Sequence, residues 1–475
     1  MAGAKTIFRR TALLSIGALI AALAGTAAYA QPDAPPANGA GSGSNTELTG
    51  SFNMRVIAHN DLGGGDLAKG GEGYAEVIAP NGHRILYDAN ESGPVCFNVL
   101  DVTDPAHPVL LSRTYVPNNN VRCNSLAAND STHVMVVANQ VSSPGETPAG
   151  IQVFSIADPY HPQQVSYLST AGQYSTGVHA VWLQGDYVYM SSGVPDAGPW
   201  GPAFVPRSPD DNQIEVIASV QDPAHPKLVG EWWYPGTRAG DPQPLPPAAR
   251  DNAGCRAHNT QVYPPGNVAY VAYIDCGIVV LNVSDKAHPK VIAMYRDDPP
   301  NPGFTHTVMP VDGGRYLAVT HEATADNCAD FPKVITFVNS QTLQPVSYTP
   351  LPANQVPLCD ATGRSGSHNI SENVPDGPNF RSDSLVIGSF FNAGVRIFDV
   401  SNPAQPRLVA WDIPPAPDHP SANAPSPDST IQINDVFVDN RGVIFADDRF
   451  GGGLYVLRSP VIDRAVQAGA AQSGQ

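Results

Sequence analysis

The 475 residues include 43 glycines and 47 prolines, only 15% are charged, and the net charge is −17. So many turn-formers beside 42% apolar residues exclude coiled coils, long charged helices and a wholly disordered chain, and point instead to many short strands. The acidic excess repels phosphate backbones, so nucleic acid is excluded as an expected partner and anionic membranes are disfavoured.

Taken in chain order, Arg9 and Arg10 precede an apolar stretch, Thr11 to Ala28, that ends in Ala28-Tyr29-Ala30. A basic start, an apolar centre and small residues at −3 and −1 are the pattern of a cleaved export signal over 1–30. The paired arginines fit either an ordinary secretory signal or a twin-arginine one. The expected mature protein begins at Gln31, is periplasmic or secreted, and opens with a flexible linker over 31–46 (QPDAPPANGAGSGSNT). No second apolar stretch is long enough to cross a bilayer.

From residue 47 the chain repeats itself. A strand followed by a tight Asp-Pro-x-x-Pro turn recurs in FNVLDVTDPAHPVLL (97–111), VFSIADPYHPQQV (153–165), IEVIASVQDPAHPKLV (214–229), VVLNVSDKAHPKVI (279–292) and VRIFDVSNPAQPRLV (395–409), with a degenerate copy at 335–348. Upstream of the copies lie hairpins with polar tips, such as HAVWLQGDYVYMSSG (179–193) and HTVMPVDGGRYLAVTH (306–321). Each unit therefore has four short strands, one blade of a propeller. Six units are complete, and a seventh stops one strand short after GLYVLR (453–458). The unpartnered strand NMRVIAH (53–59) is expected to supply the missing outer strand, because closure removes exposed sheet edges. The predicted fold is thus an all-β, seven-bladed propeller over 47–458, followed by a frayed tail at 459–475. Pro-rich insertions at 194–212, 235–254 and 411–430 join strands on the propeller faces and can wall a pocket. Trp200 offers stacking surface there, whereas adjacent Trp232 and Trp233 suit blade packing.

The six cysteines of an exported chain read as disulfides. If Tyr263 faces Val268 across the turn 264–267, the same register sets Cys255 opposite Cys276. Sequence proximity suggests Cys96–Cys123 and Cys328–Cys359.

The thirteen histidines fall into two groups. His107, His161, His225 and His288 belong to the repeat turn and read as turn residues, while His83, His133 and His419 read as surface residues. His179, His258, His306 and His368 each open the first strand of a unit, in the third to sixth blades. First strands line the central channel, so these four converge at one mouth. That donor set suits copper, iron, manganese or zinc. The corresponding positions in the other blades are near Ala75, Asn124 and Asn434. In the hairpin around Asp312-Gly313-Gly314, pairing Val311 with Tyr316 also sets His306 opposite His321, which adds a fifth candidate ligand. Glu322 and Glu372 are candidates for moving protons or orienting imidazoles, and Glu76, Asp435, Asp447 and Asp448 are further carboxylates near the mouth. The competing interpretation is that these histidines are repeat-borne packing residues bonded to neighbouring backbone.

The strand VRIFDVSNPAQPRLV resembles the signature of LVIVD-repeat β-propellers, and the likeness runs over roughly 50–458. It implies the fold and carries no catalytic residues. FTHTVMPVDGGRYLAVTHEA (304–323) and FFNAGVRIFDVSNPAQPRLVAW (390–411) are more distantly similar to the selenium-binding protein and methanethiol oxidase family, in which propeller histidines are associated with copper. Carotenoid-cleaving oxygenases are similar in geometry alone, with four iron-binding histidines around a seven-bladed axis. The expected function is a metal-dependent oxidoreductase acting on a small molecule. The alternatives are a metal-dependent lyase and a non-catalytic propeller that binds a protein or glycan partner.

Overall fold

The computed structural model describes residues 49–198, 201–202, 204–247, 253–296, 303–425 and 430–473. The signal segment, the linker and Trp200 lie outside the described residues. Seven antiparallel sheets form a propeller. Blade 1 comprises Gly70–Ile78, Arg84–Asn90, Val95–Asp101 and Val109–Tyr115. Blade 3 (Val178–Gln184 to Lys227–Trp232), blade 4 (Thr260–Val262 to Lys290–Tyr295) and blade 5 (Thr305–Val311 to Pro345–Tyr348) repeat the pattern. In blade 2 the inner strand is split, with Val121–Arg122 and Leu126–Asn129 both pairing with Val134–Val141.

Closure is double. Arg55–Asn60 pairs with Gly453–Arg458, completing blade 7 as the repeat count requires. Just before it, Gly50–Phe52 pairs with Arg407–Ile413 and forms the outer edge of blade 6. The first segment of blade 6, around His368, joins the inner edge of the sheet through the bridge Ile370–Gly388 and backbone hydrogen bonds of His368, Asn369 and Ser371, while Gly50–Phe52 extends the opposite, outer edge. The N-terminal segment thus ties the last two blades together.

Burial explains the strand chemistry. Inner and middle strands such as Val134–Val141 are buried along their whole length, whereas outer strands such as Val109–Tyr115 are largely exposed. In all seven blades the pairing of the third and fourth strands slips by one residue at equivalent points, from Val99/Leu100 in blade 1 to Val456/Leu457 in blade 7. Such bulges bend an edge and increase its twist.

The repeat turn explains the outer histidines. Asp222 Oδ1 accepts the Ala224 N–H while its Oδ2 lies 2.9 Å from His225 Nδ1. The same Asp–His pair recurs at Asp104/His107, Asp158/His161 and Asp285/His288, all exposed.

Three disulfides, Cys96–Cys123, Cys255–Cys276 and Cys328–Cys359, have Cα separations of 5.0, 5.1 and 5.1 Å. Gln261–Tyr270 and Val262–Ala269 pair in the register expected from the cysteines. Trp232 packs edge-on against Tyr273 and Trp233 lies against Phe204, so both serve blade packing. The tail differs from expectation: Pro460–Ser473 is a helix, not a frayed end. Ile462 is fully buried in the core beside blades 6 and 7, and Arg458 pairs with Asp463 at 3.2 Å, which anchors the helix.

Candidate metal centre

The four inner histidines meet at one mouth of the channel. Ring centroids of His179 and His258 are 4.4 Å apart, those of His258 and His306 4.1 Å, and those of His306 and His368 4.4 Å. A shared backbone device turns them inward. In blade 3 Val178 pairs with Ser192 and Ala180 with Ser191, so His179 is the extra residue of a bulge. In blade 5 Thr305 pairs with His321 and Thr307 with Thr320, which places His306 in the same position. His258 and His368 precede their strands with equivalent hydrogen bonds: each backbone N–H reaches the opposite strand's carbonyl, at Ala272 and Ser389, and the next residue's carbonyl accepts the return bond. A bulge re-aims a side chain out of the alternating pattern.

That bulge corrects the register expected for His321. Val311 does pair with Tyr316, but the slip at His306 leaves Thr305 opposite His321. His321 Nε2 lies 3.0 Å from Thr336 Oγ1, and the residue is absent from the converging groups.

A carboxylate not singled out in the sequence completes the centre. Glu72 Oε2 lies 3.5 Å from His306 Nε2 and 3.8 Å from His179 Nε2, and its Oε1 lies 3.7 Å from His368 Nε2. Blade 1 therefore reaches the axis through Glu72, three residues before Ala75. The visible signal was the run Gly70-Gly71-Glu72-Gly73. A Cβ on Gly71 would come within 2.8 Å of the Asn124 carbonyl oxygen, and one on Gly73 within 2.4 Å of the Leu126 nitrogen. Only glycine lets this segment press against blade 2 and carry Glu72 inward. Glu322 enters from blade 5, 3.8 Å from His368 Nε2. Three sets of potential ligand atoms lie within 4.8 Å of one another: Glu72 with His306 and His368, Glu72 with His179 and His258, and Glu322 with His258 and His306.

Hydrogen bonding fixes the imidazoles. His368 Nδ1 donates to the Asn434 carbonyl at 2.6 Å. His258 Nδ1 donates to Asn259 Oδ1 at 3.0 Å, an oxygen identified by the bonds that Asn259 Nδ2 gives to Thr307 and Asn369. His306 Nδ1 donates to Thr307 Oγ1 at 2.9 Å. Burial holds His258 at about 3 and His306 at about 4, and it pushes His179 and His368 well below the ordinary histidine value. All four are therefore neutral near pH 7, and His258, His306 and His368 present bare Nε2 lone pairs to the centre. Two of these, His306 Nε2 and His368 Nε2, have no hydrogen-bond partner, nor has Glu72 Oε2.

His179 has two states available. Its Nδ1 lies 2.8 Å from an Arg122 nitrogen and 2.9 Å from Gln140 Oε1, while its Nε2 is 2.8 Å from His258 Nε2. Accepting from Arg122 leaves a proton on Nε2 to donate to His258. Donating to Gln140 frees the fourth lone pair. A cation at the centre selects the second tautomer, and 2.8 Å is close to the spacing of two neighbouring nitrogen ligands on one ion.

The donor set fits a transition metal, since neutral imidazoles held by Nδ1–H bonds are its usual nitrogen ligands. The carboxylates differ in character. Burial raises Glu72 to about 7, whereas at Glu322 burial is outweighed by His368 and Arg364, which hold its carboxyl well below the usual range. Glu372 lies apart from the ligand groups, accepts from Gln261 at 3.1 Å and is raised to about 7 by burial. It shares a channel cavity with Glu72, Trp182 and Asn259.

The other expected mouth carboxylates serve the frame. Glu76 pairs with Arg84 at 2.5 Å, and Asp448 accepts the backbone N–H groups of Gln432, Phe450 and Gly452. Asp435 and Asp447 are buried at the seam of blades 7 and 1, where the Asp435 N–H donates to Asp447.

Four arginines that sequence reading passed over surround the ring. Arg122 pairs with Glu91 at 2.7 Å, Arg449 with the same Glu91 at 2.8 Å, and Arg364 with Glu322 at 2.7 Å. The fourth, Arg256, precedes His258 by two residues, as Arg122 precedes Asn124, the corresponding position in blade 2. That shared offset was the available signal.

The LVIVD-repeat family model matches residues 257–297 and 389–410, in blade 4 and blade 6. No curated protein matches the chain, and the likeness to the selenium-binding family gains no support from these matches. Among solved structures, the WD40 β-propeller domain of Doa1 is 12% identical with a TM-score of 0.50, covering 87% of this chain and 97% of that one. The β-propeller domain of Myceliophteria thermophila Cps50 (Swd1) is 11% identical with a TM-score of 0.47, covering 79% and 93%. The likeness to the Doa1 domain agrees with the seven-bladed all-β fold and says nothing about chemistry.

Proposed function

We propose that the ring of His179, His258, His306 and His368, with Glu72 and Glu322, holds one transition-metal ion, and that the protein is an exported metal-dependent oxidoreductase acting on a small molecule. One observation carries the reading: His306 Nε2, His368 Nε2 and Glu72 Oε2 are buried without a hydrogen-bond partner, and the Glu72 carboxylate sits between the two imidazoles, Oε2 3.5 Å from His306 Nε2 and Oε1 3.7 Å from His368 Nε2. Three orphaned polar atoms cost several kcal/mol in total, at about 1–3 kcal/mol each, and a bound cation removes that cost. Copper, iron or manganese supplies redox chemistry in such a site, and zinc supplies Lewis acidity alone. Glu372, raised to about 7, is poised to take or give a proton at the channel side of the ring. Three disulfides, and no helix among the described residues that is long and apolar enough to cross a membrane, agree with export.

Elemental analysis of the mature protein purified without an affinity tag tests the reading. Near-stoichiometric copper, iron or manganese is the expected result, lost in His306→Ala/His368→Ala and retained in His321→Ala. Zinc as the sole metal redirects the assignment to lyase or hydrolytic chemistry. A protein that holds no metal and takes up none on titration overturns the metal centre and leaves a partner-binding propeller.

A further inference from the structure

Arginine is concentrated around the ring in a chain whose net charge is −17. Four guanidinium groups gather there, Arg122, Arg256, Arg364 and Arg449. The carboxylates they pair with number only two, Glu91 and Glu322, and Glu91 is shared by Arg122 and Arg449. Glu72, Asp210 and Asp275 also lie within electrostatic range of these guanidinium groups, but none of them forms an ion pair with any of the four among the described residues. Three of the arginines are held by these pairs and by side-chain amides: Arg122 Nε donates to Gln140 at 2.7 Å and Arg449 to Asn434 at 3.0 Å. They form the wall.

Arg256 is different. It makes no hydrogen bond or ion pair among the described residues, and its Nε is buried without a partner. It follows Cys255, which the disulfide to Cys276 fixes, and precedes His258 by two residues, so both flanks of its backbone are anchored. It lies within electrostatic range of Arg122, Glu322, Asp210, Asp275, His179 and His258, and forms an ion pair with none of these acids. A largely desolvated guanidinium with an unused N–H edge is a costly feature that an anion relieves.

We propose that Arg256 grips the carboxylate of a small organic substrate and so sets the substrate's remaining atoms over the histidine ring. The planar fork of a guanidinium matches a carboxylate with two parallel hydrogen bonds, and one unpaired guanidinium balances one negative charge. A phosphate dianion needs a second uncommitted cation, and the other three arginines already serve Glu91 and Glu322. The assignment deepens the proposed metal-centre function by naming its substrate class, but anion binding itself does not require the metal.

Calorimetric titration of benzoate, acetate and inorganic phosphate into the mature protein, metal-loaded and metal-free, tests the proposal with wild type, Arg256→Gln and Arg256→Lys. Wild type is expected to bind benzoate more tightly than phosphate in both forms. Arg256→Gln is expected to weaken benzoate roughly tenfold or more, the loss of a charge-assisted pair. Its metal content and melting temperature should match or exceed wild type, and Arg256→Lys should recover part of the affinity. Equal benzoate affinity in wild type and Arg256→Gln overturns the site, and tighter binding of phosphate than of either carboxylate overturns the substrate class. Arg256-dependent benzoate binding by a protein that takes up no metal sinks the metal reading and leaves this one standing. Stoichiometric metal with no carboxylate binding does the reverse.

Discussion

Replacing Glu215 with Gln tests how this propeller handles carboxyl groups buried between blades. Glu215 lies in the third strand of blade 3, fully buried, with Oε2 accepting from Thr260 Oγ1 of blade 4 at 2.5 Å and Oε1 without a partner. Burial raises it from its ordinary 4.5 to about 8. Below pH 4.5 the carboxyl is protonated in both folded and unfolded chains and contributes no pH dependence. Between 4.5 and about 8 the unfolded chain releases a proton that the folded chain keeps, so stability falls as pH rises. Above 8 the loss is complete and amounts to about 5 kcal/mol.

Glu215→Gln keeps the shape and the acceptor for Thr260 but cannot ionise. At pH 5 the variant is expected to equal wild type or fall slightly below it, because its amide N–H group takes the unpartnered place of Oε1. By pH 8.5 it should be the more stable protein, its margin over wild type having grown by about 4 kcal/mol from its value at pH 5, or roughly 4 to 5 °C in Tm for a chain of this size. Melting curves of both proteins at half-unit steps from pH 4.5 to 9 measure the difference, in which the shared contributions of other buried acids such as Asp88 and Asp412 cancel. A stability difference that stays constant across that range refutes the argument that Glu215 is buried as the neutral acid.

Three further outcomes follow from the geometry. Gly73→Ala brings a Cβ to 2.4 Å from the Leu126 nitrogen, so blade 1 must withdraw from blade 2. We expect about 2 kcal/mol or more of destabilisation in calorimetry, with loss of the metal capacity that depends on Glu72. A mature chain that starts after Asn60 loses the outer strands of blades 6 and 7 together. It should melt at markedly lower temperature and expose the paired edges of Arg407–Ile413 and Gly453–Arg458 to aggregation, seen by light scattering. His225→Ala, which touches only the exposed Asp222, should leave both Tm and metal content at the wild-type value. A loss of metal in that variant would contradict the division of the histidines into rim and ring.

The fold was legible because each blade repeats the same solvent pattern and the same proline turn, so counting strands also revealed the missing one. What the count could not show was the use of Gly50–Phe52, a three-residue strand that lies outside the four-strand repeat and adds a further place at the outer edge of blade 6. The inner histidines were legible through their shared place in the repeat. His321 was misplaced because hairpin counting assumes an unbroken ladder, and a bulge at His306 shifts the register by one. Glu72 and the arginines were missed for another reason. They lie on glycine-rich or connecting segments, whose positions depend on close backbone approach and on disulfides such as Cys255–Cys276, not on strand periodicity.

The two sets of histidines also argue against packing as the role of the inner ring. On the rim, the repeat preserves one bond in four blades: Nδ1 of each histidine meets the aspartate three residues before it, at 2.8 to 3.0 Å. That is what a structural repeat position looks like, with the same partner each time. In the ring the repeat position is equally regular, but the Nδ1 partners differ: a Gln140 or Arg122 side chain at His179, the side chain of the next residue at His258 and His306 (Asn259 and Thr307), and the Asn434 carbonyl at His368. Three local solutions share one outcome, an Nε2 turned to the axis and left there without an ordinary acceptor or donor for two of the four. Packing requires the bond and is indifferent to where the opposite nitrogen points. A shared ligand requires the direction and accepts any partner that secures it. The inner ring keeps the direction.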